Sequence, residues 1–141
     1  MTQENKLSQA MPSIILRVTV CIIIASHGWH RLLTGGYEPF GGWLDSQGIP
    51  FGIAVALFIT LFEAFASPVL AFGRMTPQLC AVYMVIYFSG LVMVHWQHGW
   101  FVVGSGSNGI EFSTLLLAAL FSIALPHYQQ LWRQRSRQSK N

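Results

Sequence analysis

The chain has 141 residues, of which 52% are hydrophobic and 9% are charged, and its formal net charge is +3. A charged fraction so far below the roughly 25% of soluble domains excludes an ordinary water-soluble protein. The excess positive charge lies between Arg133 and Lys140, and no basic stripe interleaved with aromatic residues occurs elsewhere. This distribution suits anionic lipid headgroups, and it argues against a nucleic-acid partner.

Long apolar runs alternate with short polar segments, as is typical of a multi-pass membrane protein. We therefore predict an all-α fold, an integral membrane four-helix bundle in a single domain. The segments expected are a polar and poorly ordered N-terminal arm (1–11), a transmembrane domain (12–128) and a basic cytoplasmic tail (129–141). Within the domain, spans are predicted at about 13–33, 51–72, 77–96 and 110–126.

The connections between the spans carry their own signals. Residues 37–50 are too polar and too rich in Gly and Pro to cross a membrane, but Phe40, Trp43 and Leu44 follow helical spacing. This pattern predicts a short interfacial helix in the first outer loop. Pro12 and Pro77 are each expected in the first turn of a span, where a missing N–H costs little. The glycine run 104–109 is expected to be flexible.

Four spans place both termini on one side of the membrane. The side of the membrane that holds the termini has six basic residues, and the opposite side has Arg31. The positive-inside rule therefore predicts that both termini are cytoplasmic. The residues counted on the cytoplasmic side are Lys6, Arg74, Arg133, Arg135, Arg137 and Lys140. Cys21 and Cys80 fall in apolar runs without a C-x-x-C motif, which predicts buried free thiols and no metal site.

One acidic residue, Glu63, interrupts the second span near its middle. Thr60, Glu63 and Ser67 stand at i, i+3 and i+7, so they form one polar stripe that should face the protein interior. Because a carboxylate at that depth costs roughly 2.5–3.5 kcal/mol, a chain that keeps one turns it inward, gives it a partner or holds it protonated. Counting helix rise from the inner membrane surface puts Arg17 within reach, which predicts an Arg17–Glu63 ion pair.

A second polar group is expected at the outer surface, where the ends of three spans meet. Its members are His27, His30, Arg31, His95, His98 and Glu111. Imidazoles beside a carboxylate can relay protons, hold a metal or bind a polar headgroup such as a quinone carbonyl, and they can equally be plain interfacial residues. A bis-histidine haem on His27 and His95 is a narrower and disfavoured alternative.

Several motifs, in their order and spacing over roughly residues 14–125, resemble the DoxX family of small four-helix membrane proteins. They are Arg17, Gly28-x-x-Arg31-Leu32, Gly48-x-Pro50, Glu63, Leu70-x-x-Gly73-Arg74-x-Thr76, His95, and Glu111 after a glycine-rich linker. The family usually has Lys where this chain has Arg31, and it usually ends differently from Pro126-His127-Tyr128. Some members are subunits of a thiosulfate:quinone oxidoreductase, and others are linked to membrane redox or thiol-stress complexes.

The resemblance implies a subunit of a bacterial inner-membrane redox complex that exchanges electrons or protons with the quinone pool. In that role Glu63 is the catalytic proton acceptor and Arg17 its charge partner. The residues expected to bind substrate or headgroup are His95, Glu111, Arg31 and His27. In that role the cofactor is unknown, with quinone a candidate, and a redox protein is the candidate partner. A homodimer is expected for a separate reason, because four short helices make a thin bundle.

A different class of function stays open. In it the protein is a non-catalytic membrane module that scaffolds a complex, or that binds and moves a small solute or lipid. The Glu63 pair would then only fix the register of two helices. Sequence alone does not decide whether the chain is an enzyme.

Overall fold

Five α-helices run through the part of the chain that a computed structural model describes, residues 3–104 and 106–138, with the side chains of 3–10 and 131 left out. They are α1 (Gln3–Leu33), α2 (Tyr37–Ser46), α3 (Gly52–Ala71), α4 (Thr76–Gly90) and α5 (Glu111–Gln138). A π-helical turn (Leu91–His95) and a 3₁₀ turn (Trp96–His98) extend α4. No strand occurs among these residues, which confirms the all-α fold class.

Four stretches of helix are long and apolar enough to cross a membrane. They are Met11–Leu33, Gly52–Ala71, Thr76–His98 and Glu111–Gln138. This confirms a multi-pass membrane protein. The short helix predicted in the first connection is present as α2. Cys21 and Cys80 are buried free cysteines, as expected.

Two helices continue through prolines, and the expected place of Pro12 in a first turn is wrong. The chain is already helical from Gln3, so Pro12 lies inside α1 rather than in its first turn. Likewise α5 continues through Pro126 to Gln138. The flanking residues explain both cases. Gln, Glu, Lys, Leu and Arg are strong helix formers, and their helix propensity compensates for the one backbone hydrogen bond that each proline removes. Lys140 and the side chain of Lys6 lie outside the described residues.

The chain forms two compact units, and residues 18–74 make up one of them. In this unit α1 and α3 are antiparallel and very close at Gly28, where a Cβ would fall 2.5 Å from the Ala64 nitrogen. The Trp29 and Phe65 rings meet edge to face beside this contact, with their centroids 5.3 Å apart. A glycine allows this approach because it carries no side chain.

Helix α2 packs against the beginning of α3, again through glycines. A Cβ on Gly41 would overlap the backbone of Ile53, and one on Gly52 would overlap the carbonyl oxygen of Gly41. The Asp45 carboxylate accepts a hydrogen bond of 2.8 Å from the Gly52 N–H and so caps α3. Helix α3 ends in a Schellman turn, in which Gly73 adopts a positive φ of 73°.

The second unit joins residues 75–138 with the start of α1. Helices α4 and α5 pack along each other, and the Tyr128 hydroxyl donates a 3.0 Å hydrogen bond to the carbonyl oxygen of Pro77. The linker between them folds back on itself through backbone hydrogen bonds. Gly109 and Ile110 donate backbone hydrogen bonds of 3.2 and 3.0 Å to Phe101 and Gly99. A Cβ on Gly109 would overlap the carbonyl oxygen of Trp100, so this glycine serves close packing.

Candidate functional site

The polar stripe of α3 lies inside the protein. Thr60 and Ser67 are fully buried, and the Glu63 side chain is 3% exposed. The two hydroxyls donate hydrogen bonds of 2.7 Å to the carbonyl oxygens of Ala56 and Glu63, one turn back. These bonds satisfy the hydroxyls within the helix itself, and they leave the carboxylate as the group that needs a partner.

Arg31 is that partner in the unit formed by residues 18–74. Its Nη1 lies 3.0 Å from Oε2 of Glu63, and the same nitrogen lies 3.4 Å from the hydroxyl of Thr60. The guanidinium carbon lies 4.9 Å from the centroid of the Phe40 ring, so α2 covers one face of the guanidinium. The Arg31 side chain remains 23% exposed. The arrangement is a buried carboxylate with a cation that reaches the surface.

The depths counted along the spans group Arg31 with the outer histidines, so the sequence does not predict this pair. Gly28 faces Glu63 and Ala64, so α1 ends five residues beyond this level, whereas α3 extends back eleven residues to Gly52. At ~1.5 Å per residue, α3 projects roughly 9 Å further than α1. Arg31 therefore lies beside Glu63. The predicted Arg17–Glu63 pair stays a prediction.

One face of α1 is buried in this unit. Cys21, Ile24 and Gly28 are buried, and Arg31 continues the same stripe at its end. Gly28 was the available signal for the missed pair. A glycine within an apolar helix marks a close helix contact, and Arg31 lies one turn beyond it.

Two members of the outer group are tied to the folded linker. The Nδ1–H of His95 donates a 2.8 Å hydrogen bond to the carbonyl oxygen of Asn108. Glu111 Oε1 accepts a 3.0 Å hydrogen bond from the Val102 N–H. His27, His30 and His98 are exposed. No group of three His, Cys, Asp or Glu side chains that could hold a metal occurs within residues 11–104 and 106–138.

A family model described as DoxX matches residues 13–96, more than half of the chain. The chain is a member of the DoxX family. The matched region contains Arg31, Glu63 and His95, whereas Glu111 and α5 lie beyond it. Comparisons with curated proteins and with solved structures found no match.

Proposed function

We propose that this DoxX protein is a small subunit of a membrane redox complex, and that it takes up or releases protons as a quinone is reduced or oxidised beside Arg31 and Glu63. Glu63 accepts protons from water and passes them to the quinone as it is reduced to quinol, and Arg31 neutralises the carboxylate and contacts the quinone headgroup. The electrons come from a partner redox protein, as the family resemblance implies. The observation that carries this proposal is the ion pair between Arg31 and a carboxylate that is 3% exposed.

A purely structural role explains this pair poorly. The register of α1 against α3 is already fixed by Gly28, whose lack of a side chain permits one close fit against Ala64. A buried ion pair adds little net stability, because desolvation of both charges offsets most of their attraction. Ionisable residues inside membrane segments therefore favour a functional role.

The geometry also leaves room for a ligand. Arg31 uses Nη1 for both of its protein partners, and its Nη2 and Nε have no hydrogen-bond acceptor within the part of the chain that the structure describes. These donors can bind a carbonyl oxygen of a quinone headgroup. Phe40 beside the guanidinium supplies an apolar wall. A headgroup held there would lie next to the carboxylate that exchanges its proton.

The test is the quinone content of the protein in lipid nanodiscs. We expect near-stoichiometric quinone in organic extracts of the wild type and strong depletion in Glu63→Gln, which removes the charge and keeps the shape. The matched control is Glu38→Gln, because Glu38 is an exposed carboxylate on α2. A wild type without quinone, or equal quinone in both variants, would refute the proposal and favour the scaffold or solute-binding module.

We further propose that the protein lies in the bacterial inner membrane with both termini in the cytoplasm. The support is the even number of candidate spans together with the arginines at the end of α5. A cysteine introduced at Ser136 should react with an impermeant thiol reagent in inverted vesicles and stay protected in right-side-out vesicles. The reverse pattern would overturn the orientation.

The homodimer and the headgroup roles of His27, His95 and Glu111 remain predictions.

A further inference from the structure

An open pocket of about 390 Å³ lies between the folded linker and the first turns of α5. Its lining consists of Val102, Val103, Glu111, Phe112 and Leu115. Its volume falls within the range of small-molecule sites, roughly 300–1,000 Å³. All of these residues belong to one unit, and none of them takes part in the Arg31–Glu63 pair.

The pocket is held open by hydrogen bonds of its own walls. The Glu111 N–H donates a 3.0 Å hydrogen bond to the carbonyl oxygen of Trp100, and Glu111 Oε1 accepts one of 3.0 Å from the Val102 N–H. On the other side of the linker, His95 Nδ1 forms a 2.8 Å hydrogen bond with the carbonyl oxygen of Asn108. The walls are therefore set before any ligand binds, which lowers the ordering cost of binding.

The negative charge of Glu111 indicates which kind of headgroup the pocket binds. Glu111 supplies the negative charge among apolar neighbours, and its Oε2 has no hydrogen-bond donor within residues 11–104 and 106–130. A carboxylate oxygen of this kind is best satisfied by an ammonium group that carries N–H donors. Anionic headgroups are repelled, and a quaternary ammonium offers no N–H donor.

The apolar lining points to a lipid. Phe112 and Leu115 are exposed by 42% and 68%, and they continue from the pocket onto the outer surface of the membrane helix α5. A chain that leaves the pocket along this surface runs directly into the bilayer. Glu111 is the first residue of that apolar helix, and the ends of a membrane-spanning helix lie near the lipid headgroups.

We propose that this pocket binds phosphatidylethanolamine, with its ammonium on Oε2 of Glu111 and an acyl chain along Phe112 and Leu115. The site is independent of the proposed quinone site, so either can fail without the other.

The test is a titration of the detergent-purified protein with phosphatidylethanolamine or phosphatidylcholine of identical acyl chains, with bound lipid counted by native mass spectrometry. We expect the wild type to bind the ethanolamine lipid about fivefold more tightly, as a part-buried ion pair implies. In Glu111→Gln, whose amide oxygen can still accept from Val102, this preference should disappear. The matched control Glu38→Gln should retain it.

A second variant keeps the proposal testable if Glu111→Gln does not fold. Leu115→Trp fills the pocket and leaves the carboxylate in place, so it should weaken binding of both lipids. Equal affinity of the wild type for the two lipids would overturn the proposal. So would a preference that survives Glu111→Gln, unchanged lipid binding in Leu115→Trp, or displacement of the lipid by a soluble quinone, which would make the pocket a quinone site.

Discussion

Gly28 of α1 lies directly against the backbone of Ala64 in α3, where an added Cβ would fall 2.5 Å from the Ala64 nitrogen. Because the obstacle is backbone, Gly28→Ala must push the two helices apart. We expect it to lower the free energy of unfolding by about 1–3 kcal/mol, measured by thermal or denaturant unfolding in detergent.

The control for this change is Gly42→Ala in α2. A Cβ on Gly42 would have no heavy atom within 4 Å, so the substitution should be neutral or stabilising by up to ~1 kcal/mol through helix propensity. Equal effects of the two substitutions would contradict the close contact between α1 and α3.

The Arg31–Glu63 pair should behave as a coupled unit. Arg31→Met removes a cation that lies 3.0 Å from a buried carboxylate, and we expect a loss of about 3–5 kcal/mol in stability. The double variant Arg31→Met/Glu63→Leu replaces both charges by apolar groups and should recover most of that loss. A double-mutant cycle on the unfolding free energies measures the coupling.

Arg74→Met is the control for the arginine substitution, because Arg74 is exposed. It should change stability by no more than about 0.5 kcal/mol. Additive effects of the Arg31 and Glu63 substitutions would mean that the two side chains do not stabilise each other.

Asp45 caps α3 from α2 through its hydrogen bond to the Gly52 N–H. Asp45→Ala removes the acceptor and should cost about 0.5–2 kcal/mol, whereas Asp45→Asn keeps an acceptor oxygen and should cost less. Unfolding measurements on the two variants test this. Identical losses would show that the side-chain oxygen does not cap the helix.

The folded linker predicts a pattern of amide exchange. The Val102 N–H donates to Glu111, so its hydrogen exchange should be slow in the wild type and in Glu111→Gln. In Glu111→Ala the acceptor is gone, and exchange of peptides that cover residues 99–104 should be faster. Fast exchange there already in the wild type would mean that the linker is open.

Local patterns in the sequence predict much of this fold. Apolar runs of sufficient length indicate the four membrane helices, and helical spacing indicates both α2 and the buried stripe of Thr60, Glu63 and Ser67. Each of these features depends on neighbours along the chain. The DoxX resemblance rests on the same local motifs, and the family match confirms it.

Features that depend on distant residues were harder to predict. The partnership of Arg31 with Glu63 depends on how far α3 projects beyond α1, and helix counting does not supply that offset. The order of the linker depends on Glu111 and His95, whose hydrogen-bond partners are backbone groups that carry no sequence signal. Glycine content alone suggested flexibility, although Gly109 serves close packing.

The most direct test of the proposed quinone site is the quinone content of the double variant Arg31→Met/Glu63→Leu in nanodiscs, beside the wild type and Arg74→Met. This variant keeps the apolar packing of α1 against α3 and removes both charges. The proposal predicts near-stoichiometric quinone in the wild type and in Arg74→Met, and almost none in the double variant. Equal quinone in all three proteins, or none in the wild type, would contradict it.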